Sequence, residues 1–331
     1  MATNNYYSAL SEKRVLVAGA GVTGVAVAGA LVAKGAEVTF ADEKVIAVDG
    51  FSILHPNSIS IDNFDALMVS PGWREDHPLV SAARKSGVEI LNEIDFAWSL
   101  KLDKAPMQKW LALTGTNGKT TTVEMVAHIL SDAGLKVRAC GNVGTTVIET
   151  ITGDEVFDYL ILELSSFQLH WLNDAQFSAV AILNIADDHI DWHGSEQAYF
   201  DAKAKVYQGT ELAIVYNASD PKTLEAAENA DVVEGCRAVA FTTSMPSVSM
   251  VGFVEEFLVD RAFINDRYSA ALEIAEDSDL EAIGVLSDHL RANVAAATAL
   301  ARAVDVEPLV IKKAISSFEL SPHRIQKVLH Q

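Results

Sequence analysis

Two glycine-rich loops, each placed directly after an apolar strand, predict an α/β protein built on parallel sheets. The first loop, 19–24, follows the apolar run 14–18, and the second, 114–120, follows the apolar run 111–113. The chain has 331 residues, half of them hydrophobic, which suggests about two domains at ~150 residues each. The predicted fold class is therefore α/β, with an N-terminal Rossmann-like domain followed by a mainly parallel α/β ATPase domain of the P-loop type.

The net charge excludes one class of partner, and the hydropathy excludes another. The net charge of −20 argues against nucleic acid, and it requires that local N–H groups, cations or metal ions hold any anionic ligand. No apolar run approaches the ~20 residues of a membrane-spanning helix, and the N-terminus has no signal-peptide pattern. Cys140 and Cys236 cannot build a disulfide framework, which fits a reducing compartment. We therefore expect a cytoplasmic protein without membrane insertion.

The first domain carries the pattern of a dinucleotide-binding fold. After the loop 19–24, an Ala- and Val-rich helix reaches about Lys34, and a strand over 37–41 ends at Asp42. An acidic residue about 20 positions after the glycines is typical of dinucleotide sites. A tight strand–helix turn without a ligand explains the same residues. An NAD-dependent oxidoreductase is therefore one competing function.

A second loop of the first domain lies where open α/β sheets bind ligands. The strand over 66–70 ends in Ser70-Pro71-Gly72, at the carboxyl end of the strand. A purely structural Pro-Gly turn is the alternative. A further strand is predicted over 88–91, and the charged segment 101–106 ends in proline. We place the first domain over residues 1–105.

The second domain opens with a phosphate-binding loop, Thr114-Gly-Thr-Asn-Gly-Lys-Thr120. Backbone N–H groups and the N-terminus of the following helix bind phosphate oxygens, Lys119 neutralises the outer phosphates, and Thr120 ligates Mg²⁺. Leu113 stands where the usual P-loop has its first glycine, and a glycine turn with a surface lysine is the alternative. The residues predicted to contact ATP are Gly115, Thr116, Asn117, Gly118, Lys119, Thr120 and Thr121.

Metal-capable side chains follow the next two strongly apolar strands. Glu163 follows the strand over 159–162, and His189 lies just beyond the strand over 179–184. A carboxylate and an imidazole at neighbouring strand ends can converge on a Mg²⁺ held at the phosphate loop. A helix cap or a satisfied polar residue is the alternative for each of them taken singly. Lys203 lies in a segment of helical character, and nothing local distinguishes it from a surface lysine.

The remainder of the second domain is less informative. Residues 221–285 hold strand-like runs such as 253–259 but no motif that we can interpret. Beyond them, an Ala-rich helix is predicted over 293–303, and an amphipathic helix is predicted over 308–318.

Taken together, these motifs resemble the Mur ligase family. The likeness covers most of the chain from about Arg14 onward. The family signature is matched by the phosphate-binding loop, by Gly141-Asn142-Val-Gly144, by Asn184 with Asp188-His189, and by Asn293 in an Ala-rich helix. The stretch Leu162-Glu-Leu-Ser-Ser-Phe-Gln-Leu169 is similar to the branch of the family that adds D-glutamate to UDP-N-acetylmuramoyl-L-alanine.

The resemblance implies a monomeric, ATP-dependent amide ligase of peptidoglycan synthesis. ATP would phosphorylate the L-alanyl carboxylate of UDP-N-acetylmuramoyl-L-alanine, and the amine of D-glutamate would then displace phosphate. The implied cofactors are ATP and two Mg²⁺ ions, with Lys203 carbamylated, since a carbamate offers hard oxygens that an ammonium lacks. By resemblance, the catalytic residues are Lys119, Asn142, Glu163, His189 and Lys203; the metal ligands are Thr120, Glu163, His189 and Lys203; Asn293 and Arg324 contact ATP; and Thr23, Asp42, Ser70, Pro71, Gly72, Asn142 and Ser165 contact the UDP substrate.

Two departures limit what the resemblance implies. Near the adenine site, the family pattern His-Asn-x-x-Asn is kept only at His289 and Asn293. Residues 106–320 correspond to the central ATP-binding domain, whereas 321–331 correspond only to the hinge of a third domain. We therefore expect this chain to be an inactive fragment of the enzyme. Another Mur-type or polyglutamate ligase, or a nucleotide-binding module without catalysis, remains an alternative.

Overall fold

The first sheet has five parallel strands in the order β3-β2-β1-β4-β5. The structure is a computed structural model that describes residues 7, 9–45, 47–281 and 283–320. This strand order is that of a Rossmann half, with its switch point between β1 and β4. The strands are β1 (Arg14–Ala18), β2 (Glu37–Ala41), β3 (Ser52–Leu54), β4 (Ala66–Val69) and β5 (Glu89–Asn92).

Helices cover both faces of this sheet because alternate residues of its strands are apolar on opposite sides. On β1, Val15 and Val17 join one buried cluster, whereas Leu16 and Ala18 join another. Parallel strands that are buried on both faces appear in the sequence as continuous apolar runs, and this pattern predicted the strands. The helices of this part are α1 (Val22–Ala33), α2 (Pro78–Ser86) and α3 (Glu93–Lys104).

The second sheet has nine strands in the order β14-β13-β12-β11-β10-β9-β6-β8-β7. The pairs from β7 to β12 are parallel, and the pairs β12–β13 and β13–β14 are antiparallel. The strands are β6 (Lys109–Thr114), β7 (Val137–Gly141), β8 (Tyr159–Glu163), β9 (Ala179–Ile182), β10 (Ala213–Asn217), β11 (Arg237–Phe241), β12 (Met250–Val254), β13 (Phe257–Asp260) and β14 (Leu272–Glu276).

Helices also cover this second sheet on both sides. One buried cluster, which includes Leu111 and Leu113 of β6, is shared with the Ala-rich face of the long helix that runs from Asp288 to Ala303. The helices are α4 (Lys119–Asp132), α5 (Val147–Thr152), α6 (Ser166–Trp171), α7 (Ile190–His193), α8 (Glu196–Ala204), α9 (Pro221–Glu228), α10 (Asp277–Leu280), α11 (Asp288–Ala303) and α12 (Pro308–Ser317).

One buried cluster contains residues of both sheets. Val17 and Phe40 of the first sheet belong to the same buried cluster as Trp110 and Leu162 of the second. This shared packing holds the carboxyl ends of the two sets of strands at a common cleft. The domain boundary at about residue 105 stays a prediction. Among the helices in the described ranges, none has the length and apolar character needed to cross a membrane.

The mainly parallel α/β fold is confirmed, and two local predictions were wrong. The run 253–259 is not one strand, because Glu255, with φ of 57°, turns the chain between β12 and β13. Helix α11 begins at Asp288 rather than at 293, because Ser287 caps it: its Oγ accepts from the Leu290 N–H at 3.2 Å.

Candidate active site

The predicted phosphate and metal residues lie at the carboxyl edge of the second sheet. Leu113 of β6 pairs with Glu163 at the end of β8 on one side and with Ala181 of β9 on the other. The loops that follow these three strands therefore leave the sheet side by side. This is the edge at which open parallel sheets bind ligands.

The phosphate-binding loop closes around its own lysine. Gly118 takes φ of 84° and caps α4, which a residue with a side chain would do only under strain. The Lys119 ammonium donates to the carbonyls of Gly115 at 2.8 Å and Thr116 at 3.1 Å. Burial lowers the pKa of Lys119, while the nearby carboxylates of Glu163 and Asp188 act in the opposite direction. The result is a partly desolvated cation at the start of a helix.

Asn184, which follows β9, binds the phosphate-binding loop through two hydrogen bonds to the backbone of Asn117. Its Oδ1 accepts from the Asn117 N–H at 2.8 Å, and its Nδ2 donates to the Asn117 carbonyl at 3.0 Å. The Thr116 hydroxyl shares a 3.0 Å hydrogen bond with the Tyr199 hydroxyl. Asn184 was part of the quoted signature, but sequence reasoning had assigned no role to it or to Tyr199.

A cavity of about 520 Å³ lies beside the loop. Asn293 lines this cavity and also lies against the loop, since a Cβ on Gly118 would lie 2.5 Å from Asn293 Oδ1. The predicted contact between Asn293 and the nucleotide is therefore compatible with the fold, whereas Arg324 lies outside the described residues. The cavity is lined by Asn117, Gly118, Leu183, Asn184, Ile185, Ala186, Asn217, Asp220, Phe241, His289, Ala292 and Asn293.

Glu163 presents a buried carboxylate oxygen. The residue is 2% exposed, and its Oε1 accepts from Asn142 Nδ2 at 3.1 Å. Its Oε2 is buried and has no hydrogen-bond partner among the described residues. A buried carboxylate oxygen is costly unless something pairs with it. This atom therefore suits a cation ligand, as the sequence had predicted for Glu163.

Lys203 is not a surface lysine. The residue is 2% exposed on α8, and its Nζ donates to Thr114 Oγ1 at 3.3 Å. Burial, and after it the charge of Lys119, lower the pKa of Lys203 to about 7, while Asp188 acts in the opposite direction. A large fraction of its amine is therefore neutral near neutral pH. The surface alternative left open by the sequence is wrong.

His189 is the most exposed of the predicted metal residues. It has a left-handed backbone with φ of 50°, and its Nε2 lies 3.4 Å from Asp188 Oδ2. Its ring lies 4.7 Å from that of Phe167. In the ranges described, no group of three or more His, Cys, Asp and Glu side chains could hold a metal ion. The set of Thr120, Glu163, His189 and Lys203 stays a prediction.

His193 was missed by the sequence reasoning. Its Nε2 lies 3.0 Å from Ser166 Oγ, and burial, followed by the charges of His170, His189 and Lys203, lowers its pKa to about 4. His193 is therefore neutral at physiological pH. The available signal was its spacing of four residues from His189, one turn along a helix.

A cleft of about 320 Å³ brings the first domain's loops to the second sheet. The predicted substrate residues Thr23, Ser70, Pro71, Gly72 and Asn142 all border it. Its lining consists of Gly19, Gly21, Val22, Thr23, Gly24, Ser70, Pro71, Gly72, Gly141, Asn142 and Gln168.

Ser165 and Asp42 lie differently from the other predicted substrate residues. Ser165 Oγ caps α6 by accepting from the Gln168 N–H at 3.2 Å, and Gln168 is the residue of this pair that lines the cleft. Asp42 accepts from the Ala20, Lys44 and Val45 N–H groups at 2.8, 2.8 and 2.9 Å and borders a separate cavity of about 580 Å³. Burial raises the Asp42 pKa, but these hydrogen bonds outweigh it and lower the pKa overall.

Residues 113–301 match the model of the Mur ligase middle domain. The chain is 41% identical to the UDP-N-acetylmuramoylalanine--D-glutamate ligase of Leifsonia xyli subsp. xyli, over 99% of this chain and 68% of that protein. The protein of the same name in Streptomyces coelicolor is also 41% identical, over 97% of this chain and 70% of that protein. The chain belongs to the Mur ligase family.

A solved Mur ligase structure agrees with the fold. The UDP-N-acetylmuramate:L-alanyl-gamma-D-glutamyl-meso-diaminopimelate ligase from Neisseria meningitides has a TM-score of 0.58 and is 16% identical, covering 94% of this chain and 99% of that chain. At this identity the likeness concerns the fold alone. The Rossmann-like and P-loop parts of this Mur ligase chain are therefore those of its family.

Proposed function

We propose that this Mur ligase chain carries the sites at which an ATP-dependent ligase activates UDP-N-acetylmuramoyl-L-alanine for joining to D-glutamate. The observation that carries the proposal is the position of Asn142. Its side chain borders the cleft of the first domain's glycine loop and also donates to Glu163 at the phosphate-binding edge. A substrate whose uridine diphosphate occupies the cleft can thus extend its other end toward the γ-phosphate of ATP.

The reaction balances as two displacements. A carboxylate oxygen of the alanyl group attacks the γ-phosphorus of ATP, the bond to the bridging oxygen breaks, and ADP leaves. The amine of D-glutamate then attacks the acyl carbonyl, the acyl–phosphate bond breaks with loss of phosphate, and the nitrogen loses a proton. Because anions must meet in the first step, positive charge and N–H groups supply most of the stabilisation. Lys119 and the backbone of 115–118 are suited to this role.

The residues present fit Mg²⁺, which when bound neutralises charge on the transferring phosphoryl group. The Thr120 hydroxyl, Glu163 Oε2, His189 and a carbamate on Lys203 are the ligands that we propose. The carbamate forms when the neutral Lys203 amine adds to CO₂ and loses a proton. Burial favours this step because it depletes the ammonium form.

The cavity beside Gly118 suits the adenosine part of ATP. It adjoins the phosphate loop directly, and both His289 and Asn293 border it with polar side chains. Pockets of this kind, mostly apolar with a few polar groups, are typical of nucleotide sites. In the proposed assignment, the nucleotide enters here and the uridine substrate enters by the cleft on the other side of the loop.

Calorimetry on the chain tests the proposal. We expect the chain to bind UDP-N-acetylmuramoyl-L-alanine, and to bind ATP in the presence of Mg²⁺. Lys119→Ala should weaken ATP binding by at least about tenfold, since a desolvated cation is lost, and leave UDP binding unchanged. Lys136→Ala, at an exposed lysine paired with Glu155 at 3.3 Å, is the matched control. ATP binding that is equally tight in Lys119→Ala and the control would contradict the assignment.

A further inference from the structure

Three hydrogen bonds join the loop after β4 to the second domain, two of them from indole N–H groups of the second domain and one from a guanidinium of the loop. Trp192 Nε1 donates to the Gly72 carbonyl at 3.0 Å, and Trp171 Nε1 donates to the Trp73 carbonyl at 3.2 Å. The Arg74 guanidinium donates to the Asp191 carbonyl. These contacts join segments about 100 residues apart in the chain, and Gly72 belongs to the lining of the substrate cleft.

The other side of Trp192 faces the nucleotide site through packed rings. Its ring lies 4.8 Å from that of Phe167, which in turn lies 4.7 Å from His189 and stacks on His193 at 5.7 Å. His193 lies 5.3 Å from Tyr199. A continuous series of contacts therefore runs from the Gly72 carbonyl through Trp192, Phe167 and His193 to Tyr199.

The same set of contacts ends at the phosphate-binding loop. The Tyr199 hydroxyl hydrogen-bonds Thr116 Oγ1 at 3.0 Å, and Lys203 Nζ lies 4.9 Å from the Tyr199 ring centroid. Both Thr116 and Lys203 belong to the site proposed for ATP and Mg²⁺. Tyr199 is buried and Phe167, Trp192 and His193 are half-buried, so the ring contacts link the two loops through side chains that are partly open to solvent.

We propose that Trp192 is a positioning residue that fixes the 70–72 loop for the uridine diphosphate and couples that site to the ATP site. This inference rests on the proposed function. Within the described residues, the Gly72 carbonyl accepts a hydrogen bond only from Trp192. Glycine has wide backbone freedom, so a carbonyl at this position is oriented largely by its partner. The Trp192 N–H orients the Gly72 carbonyl. Because Trp192 belongs to the 188–193 segment, this orientation depends on the position of that segment.

The alternative hypothesis is that Trp192 only covers apolar surface. Two substitutions distinguish this hypothesis from a positioning role. Trp192→Phe keeps an aromatic ring against Phe167 but removes the N–H, whereas Trp192→Ala removes both. Trp98→Phe is the matched control, since Trp98 packs against Trp110 with ring centroids 5.1 Å apart and borders none of the cavities described above.

The measurement is UDP binding to the whole chain by calorimetry, with and without ATP and Mg²⁺. For Trp192→Phe we expect UDP affinity to fall about threefold to tenfold, the range for one hydrogen bond, with ATP affinity unchanged. For Trp192→Ala we expect, in addition, loss of the change in UDP affinity that ATP produces in the unsubstituted chain. By linkage, the change that UDP produces in ATP affinity should vanish equally.

Three results overturn the inference. UDP affinity of Trp192→Phe within twofold of the unsubstituted chain removes the positioning role. Unchanged coupling in a folded Trp192→Ala, or absence of coupling in the unsubstituted chain, removes the connection between the sites. If the unsubstituted chain fails to bind UDP at all, the proposed function itself fails, and this outcome is distinguishable because it precedes any substitution.

Discussion

Lys203 shows how burial, rather than residue type, sets the chemistry of a side chain. Its ammonium form is disfavoured by desolvation and by Lys119, so its pKa falls to about 7. Lys205, two residues later, donates to the His170 carbonyl at 2.7 Å and is only partly buried. The two lysines look equivalent in the sequence, but the fold gives them different environments.

Lys203 should therefore be the lysine that reacts with CO₂. With ¹³C-labelled bicarbonate and Mg²⁺, we expect one carbamate resonance by NMR, which grows as the pH rises through about 7 because the neutral amine reacts. Lys203→Arg should abolish it, since a guanidinium is not deprotonated. Lys205→Arg should retain it. A signal that survives Lys203→Arg would assign the carbamate elsewhere.

Gly118 offers a second test at the level of a single residue. Gly118→Ala should weaken ATP binding by more than about tenfold, because its Cβ would meet Asn293 Oδ1 at 2.5 Å and its φ is 84°. Gly134→Ala is a close control: Gly134 has the same φ, but a Cβ there meets nothing within 4 Å. Both variants carry the backbone strain, and only the first disturbs the loop. Equal ATP affinities for the two variants would show that Asn293 does not constrain the site.

At the scale of elements, Glu93 joins the first domain to a short helix of the second. It lies at the start of α3, and its Oε1 accepts from the Ile148 N–H at 3.2 Å, in the first turn of α5. Burial raises the pKa of Glu93 to about 7, although hydrogen bonds from Ile148, Val147 and Gln168 oppose this. A carboxyl group with a raised pKa therefore connects helix α5 to helix α3.

This carboxyl group should leave a pH signature in stability. Between about pH 4.5 and 7 the folded state keeps a proton that the unfolded state has released, so Glu93 makes stability fall as the pH rises through that window. Glu93→Gln removes this dependence, and relative to the parent it should gain roughly 3 kcal/mol in unfolding free energy between pH 4 and pH 8. Urea unfolding at the two pH values measures the difference, and the exposed Glu37→Gln serves as control. An unchanged difference between parent and Glu93→Gln would refute the role.

At the scale of the whole molecule, the shared core makes one site out of two sheets. The cleft is bounded on one side by the glycine loop of the first domain and on the other by Asn142 and Gln168 of the second. Neither sheet alone forms this cleft. Although the net charge of the chain is −20, the residues that line this cleft are uncharged, and their backbone N–H, hydroxyl and amide groups are available to an anionic ligand.

The cleft should therefore select UDP over NAD. Asn142 and Gln168 of the second domain line the cleft beside the glycine loop, where an NAD-binding domain alone would leave the loop free, so we expect UDP to bind at least about tenfold more tightly than NAD. Competition calorimetry on the whole chain provides the comparison. NAD binding as tight as UDP binding would restore the oxidoreductase alternative.

The sequence by itself determined the elements whose cause is local. Apolar runs followed by glycines predicted β1, β6 and the loops after them, because strand burial and left-handed turns leave marks in adjacent residues. It also placed the phosphate-binding loop and the family signature, which are short contiguous motifs. The run 253–259 was misread because one turn residue, Glu255, was outweighed by its apolar neighbours.

Only the tertiary structure decided which of these residues meet. The contacts of Lys203 with Thr114, of Glu163 with Asn142 and of Trp192 with Gly72 join positions between about 20 and 120 residues apart. No local pattern records such contacts, since they follow from how the two sheets pack together. Burial and electrostatic environment, and with them the pKa of a lysine, are properties of that packing.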